Sequence, residues 1–325
     1  VRKNKGVLAA TLALSMVLTA CGSGEYVGDA ADYPEQDLEW TIAFGPGGGN
    51  DIMARVLVDI LQQENLYPHN IAVENRQGGS GAIGWGYLLS NSGDPYHAST
   101  TSGSFLTTPL QADTGWTYAD FTLVGQLATD DSVFAVQSGN GIDSWREWTE
   151  FAKKQGTVTV GGIGTVNVDF IVHALLADQV GYEVDYVPFD EEGQLQTALT
   201  SGALQAITSN PAEIAGQIDA GRMTGLLFTG SEPLNRFPEI PTAESQGFTN
   251  MVSMPRGLIL PPNVPPEIRD WWVRTMRKAV RDPRWQDYLD KNDLTRNEVW
   301  GEQFRKELGQ TAERFQAILR KHGAI

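Results

Sequence analysis

Leu38-Glu39-Trp40-Thr41-Ile42-Ala43-Phe44-Gly45-Pro46-Gly47-Gly48-Gly49-Asn50-Asp51 is the stretch that decides the fold. Its first half alternates apolar and polar residues as a strand does, and its second half is a glycine-rich turn. From about Asp51 the period becomes helical: Ile52, Val56 and Ile60 share one face, with Met53, Leu57 and Leu61 beside them. Asn50 is placed to cap that helix. Strand, glycine turn and helix in this order open a β-α unit, whose turn lies at the ligand-bearing end of an α/β sheet.

The same pattern recurs far downstream. Val158 to Val160 reads as a strand, Gly161-Gly162-Ile163-Gly164-Thr165-Val166-Asn167 as the turn, and Val168, Ile171, Val172, Leu175 and Leu176 as the apolar face of a helix. In each turn the unpaired amides of the first helical turn and the positive end of the helix dipole suit an anion, and glycine lets it approach the backbone. Two such loops so far apart predict two lobes with a carboxylate clamped between them. Each loop also has a plain reading. Asn50 and Asp51 serve equally as a helix cap and a first-turn acid without any ligand, and Gly162 to Thr165 as a tight β-to-α turn. Asp51 would repel a carboxylate directly and would instead orient a water or meet an amino group on the ligand.

Further strands are expected at Asn70–Asn75, Tyr182–Val187, Ala206–Thr208 and Leu226–Phe228, and helices around Trp145–Ala152, Leu195–Leu199 and Ile214–Ile218. This alternation predicts an α/β protein with largely parallel sheets. The proline-marked stretches Ser231–Pro241 and Pro255–Pro266 read as crossover or loop segments, and the remainder, from Ile268 to Leu319, as helical.

The N-terminus bears on location. Arg2, Lys3 and Lys5 precede an apolar run, Gly6 to Thr19, that is short for a membrane span, and Leu18-Thr19-Ala20-Cys21 follows. The segment 1–20 resembles a bacterial lipoprotein signal cleaved before Cys21, the only cysteine in the chain. The alternatives are an ordinary signal peptide and an unused thiol. Residues 21–31 are small, polar and acidic and read as a flexible tether. A lipid-anchored, extracytoplasmic protein is therefore expected. The formal charge is −16, and −19 without Arg2, Lys3 and Lys5. That argues against nucleic acid or an anionic membrane surface as partner. An anionic solute would need a locally positive or dipole-lined pocket.

Enzyme chemistry finds little support. Gly79-Ser80-Gly81-Ala82-Ile83-Gly84 fits G-x-G-x-x-G after a strand, but the next segment, Tyr96 to Thr101, lacks the acidic residue a dinucleotide site requires. No P-loop, G-x-S-x-G elbow or H-E-x-x-H motif occurs, and His69, His97, His173 and His322 are scattered without metal-ligand spacing. No cofactor or metal is expected. Arg256, in its proline-rich setting, offers a planar fork for a second carboxylate, which would favour a di- or tricarboxylate; a lobe-bridging salt bridge is the alternative. Ser102, Ser104 and Asn210 follow strand candidates and suit either a ligand or a cap.

Across nearly all of its length after the signal segment, the chain resembles the extracytoplasmic solute receptors of tripartite tricarboxylate transporters, the Bug-type binding proteins. The resemblance is carried by Tyr33-Pro34, Phe44 to Gly48 with Asp51 to Arg55, Val73 to Arg76 with Gly78-Gly79 and Ile83-Gly84, and Phe121 to Gly125. It continues through the Gly161 loop, Ser201-Gly202, Ala220 to Arg222 and Phe237 to Thr242. It implies a two-lobed, Venus-flytrap binding protein without catalysis, with lobe one formed by 32–130 plus 231–325 and lobe two by 131–230. By matching positions, Phe44, Pro46, Gly47, Gly48 and Asp51, with Gly49 and Asn50, would form the first wall. Gly162, Gly164, Thr165 and Asn167, with Ile163, would form the second. Asp169 stands where many members carry histidine, and the region of Arg256 often carries tryptophan. The partners implied are a small carboxylate and a permease of one large and one small membrane subunit, with the receptor itself a monomer. A membrane sensor kinase is the alternative partner.

Overall fold

The computed structural model describes residues 30–189, 191–249 and 251–325. The signal segment 1–20, Cys21 and most of the tether lie outside the described residues. The chain forms two β-sheets, one of six strands and one of five.

The first sheet begins with β1 (Leu38–Ile42), α1 (Gly49–Gln63), β2 (Ile71–Asn75), α2 (Ala82–Ser90), β3 (His97–Thr100), α3 (Ser104–Gln111) and β4 (Thr122–Asp130). The chain then builds the second sheet: β5 (Val133–Gln137), α4 (Trp145–Gln155), β6 (Thr157–Ile163), α5 (Val168–Val180), β7 (Glu183–Phe189), α6 (Glu192–Thr200), β8 (Ala206–Ser209), α7 (Pro211–Asp219) and β9 (Met223–Phe228). It returns to the first sheet with β10 (Met254–Leu260), α8 (Pro266–Ala279), α9 (Pro283–Lys291), β11 (Thr295–Trp300) and α10 (Gly301–Lys321). The strand orders are β11-β4-β10-β3-β1-β2 and β7-β6-β8-β5-β9.

The sheets are mixed, not largely parallel. β1 runs parallel to β2 and β3, and β6 to β7 and β8, each joined through helices. β5 enters directly after the first crossing between sheets and β10 after the second, and both run antiparallel to their neighbours. Strands that arrive from the other lobe need no helical crossover to pair this way. Pro255–Leu260, expected as loop, is therefore most of a strand. Its Pro255 is tolerated because pairing with β3 is confined to Leu258 and Ile259, and a bulge follows Arg256. β11 likewise interrupts the C-terminal region expected to be wholly helical.

Three apolar clusters hold these layers. Trp40, Leu57, Ile60, Trp272 and Trp285 pack α1, α8 and α9 against the first sheet. Trp85, Phe105, Trp116 and Phe121 join Phe134, Trp148, Val160 and Leu176 in a cluster that draws on both sheets, covered by Phe304, Phe315 and Leu319 of α10. Leu195, Leu199, Ile207, Ile214 and Phe228 fill the other face of the second sheet. The two crossings are tied together: the Ser132 amide donates to Thr229 Oγ1 at 2.8 Å, the Thr229 amide to Ser132 O at 2.9 Å, and Ser253 Oγ to the buried Asp131 carboxylate.

Candidate functional site

Four helices begin at the carboxyl ends of strands around one cavity. Gly49 opens α1, Asn167 caps α5, Glu192 opens α6 and Asn210 caps α7, and all four residues line a cavity of about 260 Å³. At about 30 Å³ per liquid water, that is room for a solute of metabolite size. Each helix presents first-turn amides with no partner within the helix, and the positive end of its dipole. The Asn167 side chain accepts the Val168 amide and Asn210 accepts that of Ala212, the local reason these helices start where they do.

The helix after the first glycine loop starts differently from expectation. Gly48, in extended backbone, is the N-cap and contributes no side-chain bond, so Asn50 lies inside the first turn. Freed from capping, Asn50 accepts a hydrogen bond from Arg256 Nη1 at 3.2 Å. Asp51 turns to its own loop, accepting the Gly47 amide at 2.9 Å, Asn75 Nδ2 at 3.0 Å and the Arg55 guanidinium. The Arg55 bonds, against the cost of burial, hold its carboxyl down at about 2. The second loop repeats this. Asp169 Oδ2 accepts the Ile163 amide at 2.8 Å, and burial first, then the charges of Glu192 and Asp130, push its carboxyl up to about 7. Opposite shifts follow from opposite surroundings: Asp51 has a cation and Asp169 has none.

Arg256 crosses the floor of the site. One terminal nitrogen donates to Asp130 and the other to Asn50, while Nε is buried with no partner among the described residues. Asp130, at the end of β4, also accepts Asn210 Nδ2 from the other lobe, so Asn50, Arg256, Asp130 and Asn210 form one hydrogen-bonded chain from lobe to lobe. The fork expected to receive a second ligand carboxylate is thus engaged within the protein. Gly49 makes room for it: a β-carbon there would lie 3.0 Å from Arg256 Nη2.

Of the residues singled out from sequence, Gly49, Ile163, Asn167, Asp169, Asn210 and Arg256 line the cavity. Asn50 and Asp51 lie immediately behind Gly49. Phe44 packs edge-on against Trp85, with ring centroids 5.6 Å apart, and Pro46, Gly47, Gly48 and Thr165 are exposed. Gly162 is packed by side chains, since a β-carbon there would lie 2.4 Å from that of Asp169 and 2.7 Å from the Tyr186 hydroxyl. Gly164 has φ +73°, the left-handed region that favours glycine. Ser104 opens α3, and Ser102 is buried with no partner for its hydroxyl among the described residues; neither lines the cavity.

Sequence reasoning missed Asp130, Glu192, Ser209 and Tyr288, which also line it. Glu192 carried a signal, being an acid just beyond a predicted strand like Asp51 and Asp169. Tyr288 came from a helix in the distant C-terminal region and carried none.

Among the described residues no group of three or more His, Cys, Asp or Glu is arranged to hold a metal ion, and no helix is long and apolar enough to cross a membrane. Two mixed α/β lobes joined by paired crossings, with a polar cavity at their strand ends, define the architecture of a periplasmic solute-binding receptor. The family described as "Tripartite tricarboxylate transporter family receptor" matches residues 53–324, and the chain belongs to it. It is a family of extracytoplasmic receptors, not of enzymes.

The chain is 24% identical over 320 residues to the "UPF0065 protein in gbd 5'region" of Cupriavidus necator, covering 98% of this chain and 95% of that one. Among solved structures, a TctC solute-binding protein from Polaromonas superposes with a TM-score of 0.79 at 24% identity, over 89% of this chain and 99% of that one. A Rhodopseudomonas palustris protein with adipate gives 0.72 at 18% identity, over 90% and 99%. MatC of the same species, with bound malate, gives 0.69 at 17%, over 88% and 100%.

Proposed function

We propose that this receptor captures a small carboxylate in the cavity between its lobes and delivers it to a permease of one large and one small membrane subunit. It works as a monomer, held to the membrane through lipid on Cys21. The observation that carries this reading is the convergence of four helix N-termini and Arg256 on one cavity, an arrangement that favours negative charge. The malate and adipate named for two proteins of the same fold are carboxylates of a size suited to it.

Lobe one is taken as 32–130 plus 231–325 and lobe two as 131–230, which puts the tied crossings at the hinge. A solute touching both walls binds the closed arrangement better than the open one and shifts the population toward it. Micromolar affinity requires a net of about 8 kcal/mol, and one helix terminus supplies at most about 2 kcal/mol. Several termini, with Arg256 and bridging waters, are therefore needed together.

A thermal-shift screen tests the reading with mono-, di-, tri- and aromatic carboxylates and amino acids, and with sugars and nucleotides as controls. Melting temperature should rise with the logarithm of concentration for compounds bearing a carboxylate. A shift confined to sugars or nucleotides would overturn it.

A further inference from the structure

The two walls of the cavity differ in charge. The second lobe contributes Asp169, Glu192 and Glu213, and no cation. The first lobe contributes Arg256 and the opening of α1 at Gly49, with Asp130 already paired to Arg256. Asp169 is only 7% exposed, and among the described residues its Oδ1 has no hydrogen-bond partner. Glu192 accepts bonds from Ser209 Oγ and Gln196 Nε2, both neutral. Neither acid has an ion-pair partner among the described residues. On the facing wall stand donors and positive charge: the first-turn amides of α1 at Gly49, which has no side-chain cap, and the Arg256 guanidinium.

Carboxylates facing a cavity without a cation are costly unless they protonate or meet positive charge. A dianion spanning this cavity would set its second carboxylate against Glu192 and Asp169, the latter a carboxyl that burial, and then the charges of Glu192 and Asp130, already push up. A solute with one anionic and one cationic end satisfies both walls at once.

We infer that the solute is a carboxylate that also bears a cationic nitrogen, the nitrogen seated against Asp169 and Glu192 and the carboxylate toward the first-turn amides of α1 at Gly49, on the side where Arg256 lies. This rests on the carboxylate-receptor reading and narrows its ligand class. It also lessens the repulsion between a strongly acidic protein and its ligand, since an ammonium group cancels one unit of the ligand's negative charge. Closure is favoured because each lobe binds a different end of the same molecule.

Calorimetric titration of the purified protein with chain-matched probes tests the inference. Aspartate, glutamate and γ-aminobutyrate carry an ammonium group, and the dicarboxylates of matching length, succinate and glutarate, do not. At least one amino-carboxylate is expected to bind about tenfold or more tighter than any dicarboxylate. Asp169→Asn and Glu192→Gln keep an acceptor for Ile163 N–H and Ser209 Oγ–H, and each should weaken that amino-carboxylate about tenfold while leaving succinate unchanged or tighter. Thermal melts establish that each variant is folded, and Glu192→Gln serves if Asp169→Asn is not. Dicarboxylates binding as tightly as the amino-carboxylates, or variants that weaken both classes equally, would overturn the inference and leave the carboxylate receptor standing. No binding by any carboxylate, with or without nitrogen, would overturn both.

Discussion

The Ile163 amide donates to the Asp169 carboxylate at 2.8 Å. The first lobe repeats the arrangement, with the Gly47 amide donating to Asp51 at 2.9 Å. Each glycine loop is thus pinned by an acid from the first turn of the helix it feeds. Part of the positive potential at both helix ends is met from within the chain, and what remains for a solute is the cavity between them.

The two acids predict opposite pH behaviour. Burial lifts Asp169 to about 7, whereas an unfolded Asp titrates near 3.9. Between those values the native state holds a proton that the unfolded chain has released, so this contribution to stability is present at low pH and is lost as pH rises through about 7. His173, pulled down to about 4 by burial, slopes the other way below about 6.5. Asp169→Asn removes only the first effect. Its stability relative to the parent, measured by urea melts, should therefore rise from pH 4 to pH 7; parallel profiles would contradict the assignment.

Asp51 carries the reverse sign. Arg55, Gly47 and Asn75 hold it at about 2, so its stabilisation is present above about pH 4 and fades as pH falls toward 2. Because Arg55 is half exposed, the effect is modest. Asp51→Asn should cost about 1 kcal/mol at pH 7 and less at pH 2. An equal loss at both pH values would show that the carboxylate charge is not what holds the loop.

Arg256 and Asp130 form a buried pair, with side chains 12% and 4% exposed. Arg256→Ala leaves the Asp130 charge with Asn210 alone and should destabilise the protein by about 3 kcal/mol. The double variant Asp130→Asn/Arg256→Met should recover a good part of that. Equal stability of the two variants in guanidinium melts would mean that lost packing, not an orphaned charge, sets the cost.

The glycines separate by what surrounds them. Gly162→Ala brings a β-carbon onto Asp169 and Tyr186 and should lower stability by about 1–3 kcal/mol. Gly48 has φ −77°, and the nearest atom to an added β-carbon, Gly45 O, lies 3.6 Å away. Gly48→Val should therefore melt within a few degrees of the parent, and any loss of solute binding there reports on the ligand's approach. A large fall in melting temperature would show that this open loop is under tighter packing than its geometry indicates. Gly164→Val is the poorer probe, since φ +73° strains any β-branched residue whether or not a ligand is near.

Most elements were legible in the sequence: β1 with α1 and β6 with α5 through their glycine turns, and β2, β7, β8, β9, α4, α6 and α7 through their apolar runs and periods. The acids that later proved to line or anchor the site were partly legible, because first-turn Asp51 and Asp169 follow recognisable strands. Tertiary structure hid the rest. β10 is masked by Pro255 and becomes a strand only because β4 pairs along its length. Asn50 reads as a cap until Gly48 takes that position and Arg256, 206 residues away in sequence, claims its side chain. The charge asymmetry of the cavity could not be read locally, since it depends on Asp169 and Glu192 facing Arg256 across two lobes.

The most direct measurement is a crystal structure of the protein with the compound that gives the largest thermal shift. The account predicts ligand density bounded by Gly49, Arg256 and Asp169, with a carboxylate on the first-lobe side. Density instead in the surface groove between α1 and α9, lined by Ile52, Arg55, Arg284 and Lys291, with the inter-lobe cavity unoccupied, would contradict it.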